Sequence, residues 1–275
     1  MGLNAFVLCN CWKEGKTTVP PINRELIYYD EDNDCFSVHC SEGTSNEEKW
    51  RLEDLIKEWA RNCCIHPNMK YCDEHIGNWS SVRELQQAVI KCADTFTVLP
   101  SIFPSCNGGC VEPEIAEKAL QELDMFCQNL EKQNGLYLID AKSGDKIYAY
   151  IAGYKGVFAF SGDIHTGFDH NGLFVHNEKT GEEYFRSMHV TQELLEPEER
   201  VSVNGESYTS YPSLLMDIAS GKTYRNYFTI GGEKSGYTEL KVIMRPLLEA
   251  DFYSIEPLRK VLRASVETKN PVCWG

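Results

Sequence analysis

The chain has 275 residues, 42% hydrophobic and 25% charged, which is enough to bury a large core in one domain or two. Its formal net charge of −14 disfavours nucleic acid and anionic membranes as partners, because binding either one requires clustered Lys and Arg. No apolar run approaches the roughly 20 residues of a membrane-spanning helix, and no signal-peptide pattern precedes the first strand. We therefore expect a soluble, cytoplasmic protein whose acidic surface suits a protein partner, in particular a basic one.

Cysteine is frequent and unevenly distributed. Of the twelve cysteines, eleven lie within the first 127 residues. In a reducing compartment, thiols at this density act as small buried apolar side chains or as metal ligands rather than as a disulfide framework. Disulfides would be expected only if the chain reached an oxidising compartment by a route that its sequence does not reveal.

The chain begins with an apolar run, residues 3–11, which predicts a buried β-strand ending in Cys9-Asn10-Cys11. Two further short apolar runs flank the acidic segment Asp30–Asp34 and predict a hairpin with a polar tip. This tip lacks the central Gly and the final Glu of a calcium-binding loop. Ser45 and Ser81 each precede a Glu by three residues, and these capping boxes predict the starts of two helices.

The next segments predict a strand and a third helix. Residues 95–103 are rich in apolar and β-branched side chains, which favours a strand. Pro113 is placed suitably for the first turn of a helix, and Asn134-Gly135 provides its termination signal.

From about residue 136 to residue 248 the chain is rich in Tyr, Phe, Val, Ile and Gly, which predicts a β-meander of about seven to nine strands. One polar turn pattern with a Gly recurs three times, at residues 140–148, 176–184 and 217–224. Asn204-Gly205 indicates another hairpin, and residues 211–219 predict a short helix.

A last helix is predicted to open at Ser254-Ile255-Glu256 and to end at Asn270-Pro271. The sequence as a whole predicts an α+β fold. Its parts are a Cys-rich α/β module over residues 1–133, a β-meander-rich domain or insertion over 134–253, and a C-terminal helix over 254–275 that packs back on the first module.

The first eleven residues, MGLNAFVLCNC, are followed by Pro20-Pro21. This opening resembles that of a family of uncharacterised bacterial proteins, which begin with M-G-L-x-A-x-V-x-C-x-C. Three later segments fit the same family: Cys64-Ile65-His66, His75-Ile76-Gly77-Asn78, and Asn270-Pro271-Val272-Cys273-Trp274. The resemblance covers about residues 1–133 and 254–275 and implies a bacterial protein with an inserted or added β-rich domain. It implies no particular activity.

Cys9, Cys11, Cys64 and His66 form the first candidate site. A Cys-x-Cys pair at a strand end places two thiolates on one side of the pleat, where they can share one tetrahedral ion. A second pair, Cys64 and His66, would complete a Cys₃His set typical of structural zinc. The alternative is that these cysteines are small buried hydrophobic residues. Two other ligand sets remain open: Cys72 with His75, and Cys35 with His39 and Cys40.

The second candidate site is the polar stretch from Asp163 to His176. Its carboxylate and imidazole side chains could bind a hard or borderline metal ion that activates water, as in a metal-dependent hydrolase or nuclease. The alternative is a Gly-rich loop whose polar residues bond to their own turns. The residues concerned are Asp163, His165, Asp169, His170 and His176.

Two functional hypotheses follow. The first is a non-catalytic binding protein stabilised by zinc, of the kind found in bacterial immunity or defence. The second is a metal-dependent hydrolase or nuclease that uses the stretch from Asp163 to His176. Aromatic side chains in the β-rich region, such as Tyr208, Tyr211 and Tyr227, suit protein recognition, although cross-strand pairing within a sheet is the favoured explanation for most of them.

Overall fold

The structure is a computed structural model that describes residues 2–30, 35–41, 43–92, 94–201, 205 and 207–275. Two predicted features, the acidic hairpin tip at residues 31–34 and the turn residue Asn204, lie outside the described residues. The fold is α+β, as predicted. None of the described helices is long and apolar enough to cross a membrane.

The chain divides into two compact units. The first comprises Met1–Gln128 together with Phe252–Gly275, and the second comprises Asn129–Asp251. The strands of the first unit are β1 (Gly2–Leu8), β2 (Ile27–Asp30), β3 (Cys35–Val38), β4 (Lys70–Asn78), β5 (Cys110–Val111) and β18 (Val272–Trp274). Its α-helices are α1 (Asn46–Asn62), α2 (Trp79–Ile90), α3 (Pro113–Gln128) and α4 (Ile255–Thr268).

Strand β1 lies in the interior of the main sheet of the first unit, whose order is β4-β1-β18-β5. It pairs antiparallel with β4 on one side and with β18 on the other. Leu3, Ala5 and Val7 have no exposed surface, as predicted for a buried strand, but the predicted end at Cys11 is wrong, because the strand ends at Leu8. Strands β2 and β3 form a separate antiparallel hairpin.

The helix starts follow the capping signals only in part. Ser45 accepts a hydrogen bond from the backbone N–H of Glu48 and caps α1, as predicted. The predicted start of α2 at Ser81 is wrong, because Asn78 at the end of β4 already caps this helix by accepting from the N–H of Ser81. Helix α3 begins at Pro113, as predicted.

The strand predicted over residues 95–103 is also wrong. A short 3₁₀ helix, Leu99–Ser101, occupies this segment. The carboxylate of Glu122 in α3 accepts hydrogen bonds from the backbone N–H groups of residues 97, 98 and 99, the shortest of them 2.6 Å from Leu99. These N–H groups are satisfied by one side chain, so the segment needs no neighbouring strand.

Cys110 and Cys273 form a disulfide between β5 and β18. The two residues are direct register partners on these strands, although 163 positions separate them in the sequence. The expectation that the cysteines act as thiols or ligands rather than disulfides is therefore wrong for this pair. The strand register that brings them together depends on long-range pairing, which the sequence does not display.

The second unit is built from antiparallel strands. They form a four-stranded sheet, a six-stranded sheet and a two-stranded hairpin. In the first half they are β6 (Asn134–Asp140), β7 (Lys146–Ala149), β8 (Val157–Ser161), β9 (Ile164–Asp169), β10 (Gly172–Asn177) and β11 (Glu183–Ser187). In the second half they are β12 (His189–Leu194), β13 (Glu198–Val201), β14 (Ser207–Ser210), β15 (Ser213–Asp217), β16 (Thr223–Asn226) and β17 (Glu239–Pro246).

These twelve strands within the described residues exceed the predicted seven to nine. The short helix predicted over residues 211–219 is wrong, because this segment contains β15. Ser213 and Leu215 on β15 are fully buried, while Met216 faces outward, so the segment alternates as a strand does. The sheet orders are β11-β10-β9-β8 and β16-β15-β12-β17-β6-β7.

The recurring turn pattern is confirmed, because all three copies adopt one geometry. Each carries its Gly at a positive φ of 79°, 71° or 71°. The backbone N–H of this Gly donates to the carbonyl of the residue four positions earlier, over 2.9, 2.8 and 2.8 Å. The acceptor and glycine pairs are Asp140–Gly144, Asn177–Gly181 and Asp217–Gly221.

The second unit contains one deeply placed ion pair, between Arg245 and Asp251. The guanidinium donates to both carboxylate oxygens, over 2.6 and 2.8 Å, and the Asp251 side chain is only 5% exposed. Burial raises the pKa of Asp251, but hydrogen bonds from Arg245 and from the N–H of Leu248 lower it by a larger amount. The pKa of Asp251 therefore lies below its usual value.

We expect Asp251→Asn to destabilise the protein by about 3 kcal/mol, because the substitution leaves Arg245 without its charged partner. The contribution of this pair to the free energy of unfolding is fully present above the unfolded-state carboxyl pKa of about 4. It is lost as the pH falls through the folded-state pKa, which is lower. Urea unfolding at pH 7 and pH 3 measures both effects. Asp163→Asn is the control, because its pair with Lys179 is exposed, and it should cost under about 1 kcal/mol. Equal losses in the two variants would contradict the assignment.

Candidate metal centre

The first two candidate ligands lie in the turn that follows β1. The backbone N–H of Cys9 donates to the carbonyl of Met69 over 2.7 Å, and the carbonyl of Cys11 accepts from the N–H of Lys16 over 2.8 Å. Both thiols are buried, with residue exposures of 5% and 7%. The Cys-x-Cys pair that follows the strand is therefore buried, and the N–H of Cys9 and the carbonyl of Cys11 both have hydrogen-bond partners.

The other two candidate ligands lie just after α1, which ends at Asn62. Cys64 and His66 precede a short 3₁₀ helix, Pro67–Met69. Asn68 and Met69 have positive φ angles of 55° and 58°, a conformation that is costly for residues other than Gly. This reversal brings the carbonyl of Met69 to the N–H of Cys9, and so holds the second ligand pair beside the first.

Cys9, Cys11, Cys64 and His66 are brought together by the fold. Their three Sγ atoms and one imidazole nitrogen all lie within 4.8 Å of one another, so the group could hold a metal ion. The Sγ atoms of Cys9 and Cys64 are 3.7 Å apart, and Sγ of Cys11 is 3.4 Å from Nδ1 of His66. A tetrahedral ion at usual bond lengths separates two sulfurs by about 3.8 Å and a sulfur from a nitrogen by about 3.6 Å. Both observed separations therefore match the edges of such a tetrahedron.

Burial raises the pKa of Cys9 to about 12 and also raises the pKa of Cys11. Neighbouring Cys63, which follows α1, has its pKa raised to about 12 for the same reason. Thiols of this kind are protonated at neutral pH when no cation is present. A bound cation must therefore displace their protons, and in return it supplies the positive charge that stabilises buried thiolates.

Aromatic side chains pack in the same apolar cluster as Cys9, Cys11 and Cys64. The rings of Trp12 and Trp59 meet edge to face with centroids 5.5 Å apart, and Trp12 meets Phe36 in the same manner at 6.0 Å. The guanidinium of Arg24 lies over Trp12, 4.3 Å from the ring centroid. This apolar surround lowers the local polarity and limits the approach of water to the thiols.

Two asparagines fix the Cys-x-Cys turn by hydrogen bonds. Asn270, which is 3% exposed, donates to the carbonyl of Leu8 over 2.7 Å and to Oδ1 of Asn10 over 3.0 Å. It also accepts from Nζ of Lys13 over 2.5 Å. Asn10 in turn donates to the carbonyl of Thr268 over 2.7 Å. Sequence analysis placed Asn270 only as a helix terminator and missed this role, since its contacts are more than 250 positions away.

The spare ligand sets are not assembled. Within the part of the chain that the structure describes, the four-residue group above and one other cluster are the only groups of three or more His, Cys, Asp or Glu side chains close enough to hold an ion. His75 instead lies beside Asn4, with 2.8 Å between Nδ1 and Oδ1, and His39 stacks on Tyr28 at 4.2 Å between ring centroids.

The stretch from Asp163 to His176 is a β-hairpin of β9 and β10 rather than a loop. Of its five candidate residues, only His165 and His176 come together, and they are joined by Glu178, which sequence analysis missed. Asp163 pairs instead with Lys179, and Asp169 with Arg186. His170 lies in the turn, 6.3 Å from the ring of Tyr150.

The signal for Glu178 was its spacing, because a residue two positions after His176 can face the same side of an extended chain. The spacing indicates a three-residue cluster only when the pairing of β9 with β10 is known, because this pairing places His165 beside His176.

No protein-family model matches the sequence, and comparisons with curated proteins and with solved structures also returned no match. The class of protein is therefore defined by the fold and the site alone. It is an α+β protein of two units, with a buried Cys₃His group in the first that could hold a metal ion.

We expect Asn270→Ala to loosen the Cys-x-Cys turn, because it removes hydrogen bonds to the carbonyl of Leu8 and to the side chain of Asn10. The free energy of unfolding should fall by about 1–3 kcal/mol. Cys9 and Cys11 should also react faster with an alkylating agent under native conditions. Mass spectrometry of alkylated peptides measures the rates. Asn171→Ala, in an exposed turn of the second unit, is the matched control and should leave the rates unchanged. Unaltered rates in Asn270→Ala would show that the asparagine does not support the turn.

Proposed function

We propose that the chain is a non-catalytic binding protein whose first unit is stabilised by a structural zinc ion. The observation that supports the zinc assignment is the gathering of three thiols and one imidazole, from Cys9, Cys11, Cys64 and His66, within 4.8 Å of one another, with two separations that match the edges of a tetrahedral site. Soft thiolate ligands and tetrahedral geometry favour zinc over calcium or magnesium, which prefer oxygen ligands.

A structural role for this zinc is supported by the completeness of the ligand set. Four protein ligands fill a tetrahedral ion, which leaves no position for water or substrate. The ion would link the end of β1 to the segment after α1. A cross-link of this kind would add the free energy of metal binding to the apolar packing that already surrounds Cys9 and Cys11.

We expect the purified protein to contain about one zinc ion per chain, since one four-ligand set closes one tetrahedral site. Cys11→Ser should lose this zinc and unfold at a lower temperature, because a hydroxyl is a much poorer zinc ligand than a thiolate. Cys72→Ser is the matched control, as Cys72 lies in β4 of the same unit and outside the group. Elemental analysis and thermal unfolding measure both properties. A metal-free wild-type protein with freely reactive Cys9 and Cys11 would overturn the zinc assignment.

The binding role rests on the net charge of −14, and the resemblance of the first and last segments to bacterial proteins supports only a bacterial origin. A strongly acidic protein attracts a basic protein partner and repels nucleic acid and anionic membranes. Neutralising a basic toxin, or acting in defence against one, matches this charge. We propose the bacterial cytoplasm as its location on the basis of the ten cysteines that form no disulfide, and a reducing compartment of this kind would act against the single Cys110–Cys273 bond.

The competing hydrolase hypothesis has less support. It requires Asp163, Asp169 and the three histidines to converge on one ion. Both carboxylates instead form ion pairs with basic side chains, those of Lys179 and Arg186. These ion pairs already neutralise the two carboxylates that a catalytic metal ion would need as ligands.

Affinity purification from the source cells at low and high salt tests the binding role. We expect a basic protein to co-purify at low salt and to be released as salt screens the charges. The double variant His165→Ala, His170→Ala should retain this partner, because neither residue belongs to the zinc group. The binding role would be overturned in favour of the hydrolase by either of two outcomes. In the first, no basic protein co-purifies. In the second, the double variant loses the partner and only the wild type shows hydrolytic activity.

A further inference from the structure

We propose that His165, His176 and Glu178 form a second divalent-cation site, on the surface of the second unit, with coordination positions open to solvent. The site is separate from the Cys₃His group, and its ligands come from one hairpin. It does not depend on the function proposed above, because no residue is shared between the two groups.

The geometry of the hairpin creates this cluster. His165 on β9 and His176 on β10 are direct register partners, with ring centroids 5.7 Å apart. Glu178 follows His176 by two positions, and its Oε2 lies 3.1 Å from Nε2 of His176 and 3.6 Å from Nδ1 of His165. All three ligand atoms lie within 4.8 Å of one another. Ligands on one ion at bond lengths near 2.1 Å are separated by about 3.0–3.4 Å, so small side-chain movements suffice to close the site.

The ligands are held in place before any ion binds. The backbone N–H of Glu178 donates to the carbonyl of Asp163 over 2.9 Å, which fixes the start of the turn. The ring of Phe174 stacks on His176 at 5.0 Å between centroids, and Phe160 meets His165 edge to face at 6.3 Å. Such packing reduces the side-chain entropy that binding would otherwise cost.

Access and ligand chemistry define the class of ion. The two imidazole side chains are 26% and 24% exposed, and the carboxylate of Glu178 is 54% exposed, so an ion can enter from solvent. Two imidazole nitrogens and one carboxylate oxygen favour borderline ions such as Zn²⁺, Ni²⁺ and Co²⁺ over Mg²⁺ and Ca²⁺. Three protein ligands leave at least one position for water or an incoming ligand, in contrast to the closed set of the first unit.

Isothermal titration of the full-length protein with Zn²⁺, after its metal content has been measured, tests the site. We expect one further Zn²⁺ to bind per chain, and to exchange readily. His176→Asn should weaken this binding at least tenfold, and Glu178→Gln should have a smaller effect. His170→Asn is the matched control, because it removes an imidazole from the same hairpin and outside the cluster, and its binding should equal that of the wild type.

A second readout identifies the ligands directly. In ¹⁵N spectra of the histidine side chains, Zn²⁺ should shift the imidazole nitrogens of His165 and His176 and leave those of His170 and His189 unchanged. The proposal is overturned if no zinc binds beyond the Cys₃His group, or if His176→Asn binds as the wild type does. Either outcome would leave a hydrogen-bonded His–Glu cluster that only stabilises the hairpin. Loss of zinc from the Cys₃His group in Cys11→Ser would not alter this titration, so failures of the two assignments can be told apart.

Discussion

The pairing of β1 with β18 is the constraint on which the first unit depends. Residues near the two ends of the sequence lie side by side, and Asn4 and Gly275 exchange two backbone hydrogen bonds of 3.0 Å. This pairing brings Asn270 to the turn that carries Cys9 and Cys11, while the other edge of β18 pairs with β5 and places Cys273 opposite Cys110. Strand β18 therefore contributes to both features: it carries one cysteine of the disulfide, and the residue that precedes it by two positions, Asn270, supports the turn of Cys9 and Cys11.

Local signals in the sequence were sufficient for much of the fold. The buried strand β1, the Ser45 cap of α1, the Pro113 start of α3 and the three Gly turns of the second unit each depend on neighbouring residues, and each was predictable. The errors came where a distant group replaced a local one. Glu122 satisfies the N–H groups of residues 97–99, so an apolar segment that looked like a strand needs no strand partner.

The same distinction applies to the sites. Sequence spacing identified the four residues of the Cys₃His group, because two ligands separated by one residue constrain each other wherever the chain goes. It did not identify the supporting Asn270, the disulfide partner of Cys110 or the third member of the histidine cluster, Glu178. These contacts depend on strand pairing, and a single sequence does not state which strands pair.

The two clusters differ in the property that decides what a bound ion can do. In the first, burial raises the pKa of Cys9 to about 12, so an ion must displace protons to enter, and four ligands then close its coordination sphere. In the second, exposed ligands on one hairpin admit an ion from solvent and leave part of its sphere open. An ion in the first would therefore hold the fold together and exchange slowly, whereas an ion in the second would exchange readily and keep a coordination position open.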